Sequence, residues 1–180
     1  MGFLTFLEAT LKLGLPMVGL SWTIFTWLYG DGDIDRQANR KSINSQVKKM
    51  KKSFKGKKGD GRVNYLLGKW MWFGSGFYGL AALWTFVVIE LADIVRVLFN
   101  PSSIIAMFDD GFISAVLELL MNQIGNLISA FVWFGYWSDE GVIVWLLVAY
   151  LGYWVGVELA RRGDELPIQG WLEKLKSRRP

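Results

Sequence analysis

At 180 residues, 52% of them hydrophobic and with ten Trp and twelve Phe, the chain has the length of one domain but the composition of a membrane protein. It has no Cys and no His, which excludes disulfides, thiolate zinc sites, cysteine nucleophiles, imidazole bases and His-ligated haem. The net charge of +4 is unevenly spread: residues 36–62 hold eleven Lys/Arg against one acid, 160–180 hold six against three, and the rest hold three against twelve.

Phe3 to Tyr29 reads as a first span. At 1.5 Å per residue it reaches roughly 40 Å, enough to cross a bilayer with some tilt. It lacks a basic start, and no small-x-small site follows it, so a cleaved signal peptide is not expected. Glu8 and Lys12 stand four apart in the favourable acid-before-base order. Pro16 is expected to kink the helix, and Trp22 and Trp27 approach an aromatic belt.

Gly30-Asp31-Gly32-Asp33 ends the span, and Asp33 or Asp35 is positioned to cap a new helix. In the basic segment 33–62, Ile43, Val47, Met50 and Phe54 recur at helical spacing and form one apolar stripe. A polybasic helix of this kind is expected on the cytoplasmic membrane surface. There Lys48, Lys49, Lys51, Lys52, Lys55, Lys57 and Lys58 would meet anionic lipid. Lys55 to Gly61 lacks the spacing of a phosphate-binding P-loop, and nucleic acid is not the expected partner.

The second span is expected over 69–95, with the helix running on to Phe99. Ser75 and Gly79 give it a small-residue packing pair. Glu90, Asp93 and Arg96 follow at three-residue steps toward the outer interface, and Asn100-Pro101 ends the helix. Residues 100–141 contain acids but no Lys or Arg, the pattern of an external segment. Within it Glu118, Asn122, Asn126 and Ser129 make Phe112–Trp137 amphipathic. A helix or helical hairpin in the outer interface is expected, broken near Asn122–Gly125. A fourth crossing would place one basic segment outside, against the charge rule.

Residues 142–159 form the last span. Gly152, Gly156 and Ala160 repeat every four residues, a face for packing within one chain or between copies. In the tail 160–180, Ile168, Trp171, Leu172 and Leu175 are spaced for a short inner-surface anchor.

The expected fold is therefore an all-α integral membrane protein. It has three transmembrane helices plus amphipathic interfacial helices in a single membrane domain. The N-terminus lies outside and the C-terminus in the cytoplasm, in keeping with a bacterial inner membrane. This N-out, three-span, basic-tail plan is similar to that of some phage holins in architecture, although this chain is longer and its basic loop larger. The similarity implies a self-assembling pore or transport element.

Glu8, Lys12, Glu90, Asp93, Arg96 and Glu118 form a candidate intramembrane polar set. Ionisable groups at that depth serve as an interhelical salt-bridge set, a partner contact or an ion path. The adjacent acids Asp109-Asp110 and Asp139-Glu140 are expected in turns, where neighbouring acids are solvated and not set up as a catalytic acid and base. No catalytic residue, metal or cofactor is expected. A non-catalytic accessory or assembly subunit of a larger membrane complex, or a homo-oligomer, is the leading expectation. An enzyme acting on lipid is the weakest.

Overall fold

The structure, a computed structural model, describes residues 3–56, 65–100, 111–137 and 141–163, without the side chains of 53–56. Every regular element among them is helical. These are α1 (Phe3–Ala9), α2 (Leu15–Gly30), α3 (Arg40–Gly56), α4 (Tyr65–Trp72), α5 (Gly76–Phe99), α6 (Phe112–Phe131), α7 (Trp133–Trp137) and α8 (Val142–Arg161).

α1 and α2 form one rod, joined by a π turn over Thr10–Gly14. Pro16, in the first turn of α2, has no N–H to offer the carbonyl of Lys12 four residues back. Trp84 of α5 donates its indole N–H to that carbonyl at 2.9 Å. A neighbouring helix thus meets a backbone group that proline cannot. The irregularity expected at Pro16 takes the form of a wide turn held by a tryptophan.

At the far end of α2, Gly32 (φ +76°) lets the Asp33 N–H reach back to the Leu28 carbonyl at 3.0 Å. The cap of α3 differs from the expected Asp33 or Asp35. Asp35 Oδ1 accepts from the Gln37 N–H within the turn, and Asn39 Oδ1 caps α3 by accepting from the Ser42 N–H, both at 2.9 Å. Ile34 and Ala38 are buried, so the connecting turn is packed against the bundle and the helix starts after it. The stripe on α3 is also turned to protein: Ile43 and Val47 are each 2% exposed and Met50 packs beside them.

The second expected span is broken. α4 stops at Trp72 and α5 starts at Gly76. Gly74 (φ +122°) and Gly76 (φ +65°) permit the break, and Ser75 between them sits at φ +63°, ψ 173°. That region is close to glycine-only and costs about 1–3 kcal/mol for another residue. Ser75 therefore breaks the helix on which the sequence expectation made it a packing residue. Gly79 accommodates the break, since a Cβ there would stand 3.1 Å from the Phe73 carbonyl oxygen.

Pairings fix the directions of the long helices. Gly14 faces Val148, and Gly156 faces Val18, Ser21 and Trp22, so α2 and α8 run parallel. Tyr78 hydroxyl donates to the Phe131 carbonyl, and Glu90 meets Gln123 and Asn126, so α5 and α6 run antiparallel. α6 continues unbroken through Asn122–Gly125, and the chain reverses at Val132 instead. α7 then returns along α5. Trp137 Nε1 donates to Thr85 Oγ1 at 2.7 Å and its ring stacks on Trp145 of α8 at 5.6 Å. The core runs through Phe25, whose ring meets Trp70 and Tyr153 at 5.9 and 5.8 Å.

Candidate functional site

Two features gather the residues singled out in the sequence: a glycine seam between α2 and α8, and a polar clasp between α5 and α6.

Close approach makes the seam. A Cβ on Gly152 would stand 2.7 Å from the Gly14 carbonyl oxygen. One on Gly156 would stand 1.9 Å from Ser21 Oγ and 2.3 Å from the Val18 carbonyl oxygen. Real Cβ atoms do not come so near, so only glycine allows this contact. Ser21 is fully buried, and its hydroxyl donates to the Met17 carbonyl at 2.6 Å. Ala160, 2% exposed, extends the same face. Within the chain, then, the small-residue face of α8 is covered by α2.

The clasp centres on Asn126. Its Nδ2 donates to Glu90 Oε1 at 3.2 Å and to Asp93 Oδ2 at 2.8 Å. Gln123 Nε2 donates to Glu90 Oε2 at 3.3 Å, and Arg96 reaches Asp93 Oδ1 at 3.5 Å. Hydrogen bonds to ionised acceptors are stronger than neutral ones, so two amides bridging two carboxylates hold α5 against α6. Gln123 was missed in the sequence because it lies beside the stripe Glu118–Asn122–Asn126–Ser129, one position off it. A helical stripe is wide enough to include both 122 and 123.

Among the described residues, the hydrogen bonds and ion pairs link the six polar candidates in separate groups. Lys12 Nζ pairs with Glu8 Oε1 at 2.6 Å on α1 and the π turn, with both side chains about half exposed. Glu90, Asp93 and Arg96 belong to the clasp. Glu118 lies exposed on α6, two turns before Asn126. Among the described residues no three of Asp, Glu, His or Cys stand together to hold a metal ion. Lys48, Lys49 and Lys52 are exposed on α3, while Lys51 is half-buried and donates to the Gly74 carbonyl at 2.9 Å. Lys57 and Lys58, the side chain of Lys55, both acidic pairs and the tail helix expected around Trp171 lie outside the described residues.

The described chain is all-helical, and three of its helices are long and apolar enough to cross a membrane: Phe3–Gly30, Phe112–Phe131 and Val142–Arg161. Two of these match expected spans. The third is the segment expected in the outer interface. This composition is compatible with a membrane location. In comparisons with family models, curated proteins and solved structures, the chain matched none of them.

Proposed function

We propose that this is a non-catalytic integral membrane protein, an accessory or assembly subunit of a larger complex in a bacterial inner membrane. The observation that carries the reading is α6. It has spanning length, yet only Ala115 and Ala130 are buried in the chain, and Glu118 and Asn122 are exposed on it. Charged and amide groups on an apolar helix are costly against lipid and face protein or water instead. A membrane-protein partner, or a second copy, satisfies that requirement.

The parallel course of α2 and α8 supports the accompanying topology. Two parallel crossings need an odd number of crossings between them. One crossing by α4–α5 meets this, with α6–α7 entering and leaving on the external side. The N-terminus is then outside, the lysines of α3 and the C-terminus are cytoplasmic, and α3 lies beside anionic inner-leaflet lipid. Nucleic acid is not assigned as a partner. In this reading the Glu90–Asp93–Asn126 clasp is structural and does not conduct ions.

A self-assembled pore is the second reading, favoured by the same exposed polar residues of α6. Mild-detergent purification with native mass measurement separates the two. A co-purifying protein at fixed stoichiometry supports the accessory role. A lone homo-oligomer whose induced expression collapses membrane potential supports the pore and sinks the accessory role.

A further inference from the structure

We infer that the break between α4 and α5, the lysines of α3 and the aromatic face of α8 together form a discrete site for a phosphate group, occupied by the headgroup of an anionic phospholipid. A cavity of about 560 Å³ lies between these three elements, within the range of small-ligand sites. Lys48, Lys51 and Lys52 line one side, Gly74 to Phe77 the second, and Tyr150, Tyr153 and Trp154 the third. Among the described residues no acid lines it.

Three features point to an anion. Three lysines line the cavity, the Lys51 ammonium held at its wall by the Gly74 carbonyl, with no carboxylate among the described lining residues to neutralise them. The cavity wall includes the first residues of α5, a helix of 24 residues, whose N-terminal amides carry partial positive charge. Ser75 does not cap that helix; its hydroxyl is turned to the Gly74 carbonyl at 2.5 Å. The strained backbone at Ser75 is what opens the helix at this place. Backbone strain of that kind collects at ligand sites.

Further features point to a lipid as the source. Phe77 and Tyr150 meet edge to face at 5.3 Å in the cavity wall. Beside Tyr150, the exposed residues Leu147 and Leu151 continue along α8 as an apolar track for acyl chains. The inference rests on membrane integration and on the cytoplasmic side of α3, and is independent of the accessory role. It replaces diffuse attraction along α3 with one built site using three of its lysines.

The test compares two double variants of equal charge change in purified full-length protein. Lys48→Gln/Lys52→Gln alters the cavity, whereas Lys41→Gln/Lys49→Gln alters exposed lysines of the same helix that do not line it. Native mass spectrometry counts phosphatidylglycerol retained from nanodiscs. One retained lipid per protomer, weakened about 10- to 30-fold in the cavity variant and less than about 3-fold in the control, is the expected result. Equal loss in both variants means diffuse surface attraction and overturns the site, as does no loss in either. Saturable binding of inorganic phosphate with no lipid retained assigns the cavity to free phosphate and overturns the lipid source. Carbonate extraction is run in parallel: release from membranes at alkaline pH rejects the membrane reading itself, separately from the lipid count.

Discussion

At the scale of single residues, the tightest constraint is Gly156. The atoms a Cβ would strike are partly backbone, the Val18 carbonyl oxygen and the Trp22 nitrogen, so no side-chain rotation relieves the clash. Gly156→Ala should lower stability by about 1–3 kcal/mol, read as a lower melting temperature in detergent. Gly19 is the control. It is exposed in the same helix pair, and a Cβ added there would meet nothing within 4 Å, so Gly19→Ala should be neutral or stabilising by up to about 1 kcal/mol. Equal effects at both positions would show that the seam is not the contact described. At Ser75 the sign is reversed: Ser75→Gly removes the strained backbone and should raise stability by about 1 kcal/mol in the same melt.

At the scale of elements, side chains that cross between helices set their register. Thr85 both donates to the Ala81 carbonyl at 2.9 Å and accepts from Trp137, tying α7 to α5. Thr85→Val keeps the shape but leaves the Trp137 N–H without its acceptor, which should cost about 1–3 kcal/mol. The near-ultraviolet dichroism of the stacked Trp137–Trp145 pair should weaken with it. An unchanged spectrum and melting temperature would count against this bond as the α5–α7 tie. The clasp is legible only at this scale. Glu90 and Asp93 stood out in the sequence as costly charges, and Asn126 as part of a polar stripe. Which carboxylate meets which amide depended on α5 and α6 running antiparallel. The break at Gly74-Ser75-Gly76 was hidden for a related reason. Small residues in an apolar run serve equally well for close helix packing and for a turn, and local composition does not separate the two.

At the scale of the whole molecule, direction is the informative property. Parallel α2 and α8 mean that the chain reverses direction between them, and after α6 the short α7 turns it back along α5. Because the chain has no Cys, single cysteines report sidedness on an otherwise silent background. Ser45→Cys on α3 should react with an impermeant maleimide only from the cytoplasmic face. Thr5→Cys and Ser114→Cys should react only from the opposite face. Labelling of Ser114→Cys from the cytoplasmic side would mean that α6 crosses the membrane and that the proposed topology is wrong.

Helical class, the position of the first and last apolar helices, the Glu8–Lys12 pair and the basic character of α3 were all present in the sequence. Each depends on residues within a few turns of one another, where hydrophobic period, charge and spacing act directly. What the apolar stripe of α3 and the glycines of α8 pack against depended on tertiary structure. So did the broken second span, the unbroken α6 and the cavity beside the lysines. Those outcomes depend on which distant helices become neighbours and in which direction they run. A glycine face suits a second copy as well as α2, and an apolar stripe suits lipid as well as a bundle of aromatics; only the packed chain distinguishes them.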